Sequence, residues 1–208
     1  MKRFLYSFAV SVACCAAALM FQSCPAVTNA LANMQRLQFK LDGLSNFRLA
    51  GVSFAGKSSI TDFSAFDALS LTRAFGTNQF PAEFILNVAA ANPNDGKGGA
   101  RQSSALLQGL EWRLLIDDKQ TVSGDIDAPV EIPGTGQTTI IPVRISLDLY
   151  KFFGSKGYDN VINLALALGG AKGSTSRLKL DARPTISTPI GPLTYPNRIT
   201  IIDKQFSN

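Results

Sequence analysis

The sequence predicts an all-β domain: an antiparallel sandwich of two sheets, with about seven or eight strands and two short helices at its edges. Three observations predict it. Apolar and polar residues alternate with period two in several separate segments. Turn-forming residues such as Asp42-Gly43, Asn92-Pro93-Asn94 and Asp117-Asp118 fall between those segments. Only two stretches, 60–75 and 150–168, change to helical spacing.

The chain has 208 residues, which suits one domain behind a targeting segment. A hydrophobic content of 46% supports a core, and 17% charged residues is low. The formal net charge is +5, and losing Lys2 and Arg3 with a cleaved leader would leave +3. That balance, without any run of Lys or Arg, argues against nucleic acid as a partner. There is no histidine. The usual general base and the commonest metal ligand are therefore missing. The three cysteines, Cys14, Cys15 and Cys24, all lie in or at the end of the leader. The body of the chain thus has no thiol nucleophile and no disulfide.

Taking the chain in order, Lys2 and Arg3 precede an apolar run over 4–21, then Gln22-Ser23-Cys24-Pro25. A charged start, a short apolar run and a small residue at its end mark a secretory signal peptide. A cysteine directly after a small residue resembles the bacterial lipoprotein signal, in which that cysteine is acylated and becomes the new N-terminus. Phe21 and Gln22 depart from the residues most common there, so an ordinary signal peptide or an uncleaved signal anchor stays open. Acylation of Cys24 would anchor the chain to a bilayer, at ~0.8 kcal/mol per buried methylene. Residues 1–23 are then the signal peptide, 24–33 a small polar tether, and 34–208 the folded domain. The tether lacks an acidic residue after the cysteine. By resemblance to sorting signals, this points to the outer membrane, facing the periplasm.

Residues 34–41 alternate, with Leu37, Phe39 and Leu41 on one face. Asp42-Gly43 signals a tight turn, which predicts a second strand over 44–54. Over 60–75, Phe63, Phe66, Leu69 and Leu71 or Phe75 recur at helical spacing, with Thr61 or Asp62 as cap. A loop with buried aromatics is the alternative. Residues 80–94 open as a strand, with Phe84, Leu86 and Val88 on one face and Glu83, Ile85 and Asn87 on the other. They close on Asn92-Pro93-Asn94. Pro93 cannot continue a ladder, and Asn94 can bond its own backbone or turn left-handed.

Residues 95–100 read as a mobile loop. Residues 104–116 alternate with Leu106, Gln108, Leu110, Trp112, Leu114 and Ile116 in one register. Trp112, the only tryptophan, is placed in the core. Asp117-Asp118-Lys119 predicts a hairpin turn into a strand over 120–126, and 128–132 a short extended piece. Residues 138–149 alternate through Ile141, Val143, Ile145 and Leu147, and Pro142 among them predicts an edge strand or a bulge. Residues 150–168 read as helix, which Gly154 and Gly157 divide. Strands over 177–182 and 193–202 follow, around a proline-bounded turn region at 185–192.

This order of elements resembles the WHy domain (water stress and hypersensitive response) of late embryogenesis abundant group 2 proteins. The resemblance rests on Phe84-Ile85-Leu86-Asn87-Val88, Asn92-Pro93-Asn94, Gly109-Leu110-Glu111-Trp112, Gly124 and the Ile-Pro-Val-Arg-Ile core at 141–145. Thr188-Pro189-Ile190-Gly191-Pro192 also fits. It covers roughly 39–202. It implies a fibronectin-III/immunoglobulin-like sandwich and a role in tolerance of desiccation or other stress. It implies no catalytic residue and no cofactor, and it gives Asn92, Pro93 and Asn94 a structural role as a turn. The helical stretch at 150–168 resembles an excursion that the simplest members lack.

Little chemistry competes with that reading. Asp117, Asp118, Asp125 and Asp127 form the only close group of acids, a fragment of a calcium loop at most. Residues 96–99 and 169–174 are glycine-rich but lack the strand-loop-helix context of a phosphate loop. The expectation is a non-enzyme without metal or cofactor. It would be lipid-anchored at Cys24 and protect envelope proteins or membranes by surface contact. An adhesion or assembly module of an envelope complex is the second reading, and a hydrolase or small-ligand protein the third.

Overall fold

The computed structural model describes residues 36–96, 102–169, 177–188 and 191–202. They form two antiparallel sheets and three short helices. The first sheet has the order β2-β1-β3-β7. It contains β1 (Gln38–Leu49), β2 (Val52–Ser53), β3 (Pro81–Ala91) and β7 (Thr138–Asp148). The second contains β4 (Ala105–Ile116), β5 (Lys119–Gly124), β6 (Val130–Ile132), β8 (Leu178–Thr188), β9 (Gly191–Thr194) and β10 (Ile199–Ile201). Its order is β10-β8-β4-β5, with β6 also on β4 and β9 also on β8. Inward side chains of both sheets meet in one apolar core, as the alternating sequence predicts.

Strand β3 holds the centre of the first sheet. It pairs with β1 and, over all eleven residues, with β7. Phe84, Leu86 and Val88 are buried, as their period requires. Strand β7 has a neighbour on one side only, so Pro142 lies on an edge strand as expected. Trp112 is buried in β4 opposite Gly124. A Cβ on Gly124 would stand 2.6 Å from the indole Cζ2, so only glycine admits the ring. Asp117 and Asp118 both take positive φ between the paired ends Ile116 and Lys119. This is a two-residue hairpin turn.

Three local expectations are corrected. Asp42-Gly43 does not turn the chain, because β1 runs straight through it with a bulge between Leu41 and Gly43. A bulge needs the same permissive residues as a turn. The reversal occurs instead at Ala50 (φ 49°) and Gly51 (φ 80°). In β4, a register shift between Leu107 and Gly109 changes the inward face, burying Leu107 and exposing Leu106. The turn region expected at 185–192 is too wide, because Thr188 already pairs with Gly191. Strand β8 continues through Pro184 to Thr188, and β9 pairs with its end. The Pro184 carbonyl accepts from Tyr195 between β9 and β10, so the missing N–H falls in the gap between those two short strands.

Ser59 and Ser64 cap a 3-10 turn (Ile60–Asp62) and α1 (Ala65–Gly76), each in a reciprocal capping box. These caps replace Thr61 and Asp62 as the expected start of one short helix over 60–75. Helix α2 (Leu149–Phe153) and α3 (Tyr158–Gly169) are separated at Gly157 (φ 84°), as the glycines predict. Helix α3 buries Val161, Ile162, Leu164, Ala165 and Leu168 and packs against β1. No helix among the described residues is long and apolar enough to cross a membrane.

Candidate functional site

The sequence motif becomes a buried polar knot. Strand β3 delivers Asn92 to the end of the sandwich with no exposed surface. Its Nδ2 donates to the backbone carbonyls of Ser103 (2.9 Å) and Ile132 (3.2 Å). Its Oδ1 accepts from the Asn94 backbone N–H (3.1 Å) and the Asn94 side-chain amide (2.8 Å). The amide is therefore fully used, which removes the desolvation cost of burying it. The Asn92 carbonyl accepts from Gly136 N (3.1 Å), and the Asn94 carbonyl from Ser103 N (3.2 Å). Three segments from both sheets converge there: the end of β3, the approach to β4 and the loop after β6.

The expected bond of Asn94 to its own backbone is corrected. The Asx turn is made by Asn92, two residues before the N–H it receives. Asn94 instead offers its Oδ1 to Arg36 (3.3 Å), where the described chain begins. Gly134 packs so closely that a Cβ there would lie 2.6 Å from the Asn94 carbonyl oxygen. Arg36, Ser103, Ile132 and Gly134 complete the knot. Sequence reading missed them because they are brought to the motif only by the fold. Cys24 lies outside the described residues.

The four acids do not gather. Asp117 pairs with Arg177 (3.3 Å) and Lys156 (3.9 Å), Asp118 with Lys179, and Asp127 with Arg144 (3.4 Å). Asp125 fills the β4 bulge, with Oδ1 accepting from Leu110 N (2.6 Å) and Ile126 N (2.8 Å). Among the described residues, no group of three potential metal ligands occurs.

Two outer surfaces stand out. On the second sheet, cross-strand neighbours Glu111 and Arg183 pair at 2.6 Å, and Arg113 pairs with Asp181. Arg198 also reaches Glu111. The hydrogen bond from Arg183, with the nearby charges of Arg183 and Arg198, holds the Glu111 carboxyl below its ordinary range. Of the apolar stripe expected over 60–75, Phe63, Leu71 and Phe75 face the core, but two members face outward. Phe66 is 78% exposed and Leu69 56%, with Ile60 of the preceding turn 45% exposed, while Leu71 is the buried residue.

No protein-family model matches the chain, and no curated protein matches it. Solved structures give distant likenesses. One is a protein described as a candidate late embryogenesis abundant (LEA) protein. It is 16% identical at a TM-score of 0.35, covering 92% of this chain and 84% of that one. Another is a protein from Archaeoglobus fulgidus, 8% identical at 0.32, covering 78% and 99%. A third, a structural-genomics target, is 7% identical at 0.35, covering 81% and 87%. At TM-scores below 0.5 these likenesses carry no functional weight.

Proposed function

We propose that this protein is a lipid-anchored, non-catalytic sandwich of the WHy type, held in a bacterial envelope through Cys24. It limits damage to envelope proteins or membranes during drying, freezing or heating by surface contact without turnover. The observation that carries this reading is the Asn92 knot. Asn92 and Asn94, two of the three residues that match the family motif, join the two sheets beside Arg36. The four acids that lie close in sequence, Asp117, Asp118, Asp125 and Asp127, are committed to ion pairs and a bulge, which supports a role without catalysis. A strain lacking the protein should survive drying, freezing or heating less well than its parent. Equal survival under all three would overturn the protective role. Fatty-acid labelling of the parent, lost in Cys24→Ala, tests the anchor separately.

The exposed Ile60, Phe66 and Leu69 favour one second reading, an assembly module of an envelope complex. A photo-crosslinker at position 66 that captures one stoichiometric partner would select it over the first.

A further inference from the structure

The outer face of the first sheet carries a groove that the motif does not use. Strand β1 shifts register between Ser45 and Arg48. Asn46 turns outward at φ 57°, while Phe47 goes inward and stacks on Phe84 with ring centroids 5.6 Å apart. A bulge of this kind bends its strand and re-aims side chains. The result is a groove of about 370 Å³ lined by Asn46, Arg48, Glu83, Ile85, Arg144 and Ser146. Its rows are fixed by register: Arg48–Glu83–Ser146 across three strands, and Ser45–Ile85–Arg144 beside them.

The charges in this groove are not spent on each other. Arg48 and Glu83 are direct cross-strand neighbours, a placement in which opposite charges ordinarily pair. The second sheet shows that pairing at Glu111–Arg183. Yet among the described residues neither the Arg48 nor the Glu83 side chain has a hydrogen bond or ion pair. Arg144 reaches only Asp127, at 3.4 Å, with its side chain 75% exposed. An acceptor for an ammonium therefore sits between two guanidinium groups, over a half-buried isoleucine and beside a serine hydroxyl and an amide. On the same face of β7, Pro142 is exposed and Ile140 is 45% exposed, so apolar surface continues beside the charges.

We propose that this groove binds the phosphoethanolamine headgroup of a membrane lipid. Arg48 and Arg144 hold the phosphate, Glu83 the primary ammonium, and Ile85 the two methylenes between them. Ile140 and Pro142 rest on the bilayer surface. Guanidinium suits a phosphate by its fork of donors. This deepens the membrane-contact part of the proposed function and rests on it only for the presence of a bilayer.

The test uses the full chain in phosphatidylcholine nanodiscs, observing the backbone amide signals of Asn46, Ile85 and Ser146. Soluble O-phosphoethanolamine should shift all three saturably. Inorganic phosphate and ethanolamine alone should each bind roughly tenfold more weakly, since each loses a charged contact. Glu83→Gln should reduce phosphoethanolamine to the affinity of phosphate, and the double variant Arg48→Gln/Arg144→Gln to that of ethanolamine. Replacing half the lipid by phosphatidylethanolamine should shift the same signals without added ligand. Phosphate binding as tightly as phosphoethanolamine, or binding that survives in both variants, would overturn the site. Soluble binding without a response to phosphatidylethanolamine would overturn the lipid as its source. None of these readouts depends on stress survival, so this proposal and the protective role fail separately.

Discussion

Asn92 shows why a short motif can decide an architecture. Its two donors and its oxygen serve groups far apart in sequence, at Ser103 and Ile132, and near at Asn94. Asn92→Ala would leave buried backbone carbonyls unpaired, at a cost of about 2–4 kcal/mol, read as a lower urea midpoint. Asn94→Ala should cost only about 1 kcal/mol, because its side chain bonds Asn92 and the exposed Arg36. Equal losses would mean that the knot is a local turn rather than a joint between sheets. Ala50 makes the opposite point. It occupies a left-handed position that costs a non-glycine residue about 1 kcal/mol, and asparagine tolerates that position. Ala50→Asn should therefore raise the melting temperature. The turn was illegible because nothing about an alanine announces a positive φ. The tripeptide was legible as a stop, but its partners at 103, 132 and 36 were not, since loop contacts leave no periodic trace.

Among elements, the long strands were readable wherever a single face is buried without interruption. In β7, and in β3 as far as Val88, the alternation runs unbroken, and the observed burial follows it. Strand β4 defeated the same reading at one step, because Asp125 stabilises an extra residue that period two cannot anticipate. Helix α1 shows the limit of helical spacing. Phe66 and Leu69 mark a stripe, but Leu71, with Ala74 and Phe75, packs on the core. Phe66→Ser should thus change stability by less than about 0.5 kcal/mol, whereas Leu71→Ala should cost about 3 kcal/mol. Thermal melts of both variants check this. The ladder on the second sheet gives a pH effect with a definite sign. The Glu111 pKa is lowered in the folded state, so its contribution is present above the unfolded pKa of about 4.3 and is lost as pH falls through the folded value. Stability of the parent should fall on acidification more steeply than that of Glu111→Gln. Parallel curves would show that the arginines do not depend on that carboxylate.

For the whole molecule, the question is how two sheets stay registered when the described residues contain no cysteine. The knot holds one end. A backbone bond from Leu41 to Ile202 (2.8 Å) ties β1 to the residue after β10. Helix α3 closes the first sheet by bringing Gly169 against the Phe47 ring of β1, where a Cβ would approach the Phe47 Cβ to 2.7 Å. Phe47 cannot retreat, because it is buried between Phe54 and Phe84. Two effects compete in Gly169→Ala. Alanine is the better helix former by up to about 1 kcal/mol. Forcing a methyl into a filled site costs about 1–3 kcal/mol, and the immovable ring places the cost at the upper part of that range, so the variant should be less stable. Gly76 provides the control. It ends α1 as Gly169 ends α3, and a Cβ there meets nothing within 4 Å. Gly76→Ala should therefore be neutral or slightly stabilising. Urea unfolding of the two variants should move the midpoint in opposite directions. A shared upward shift would mean that helix propensity outweighs packing, and that α3 is not held tightly against β1.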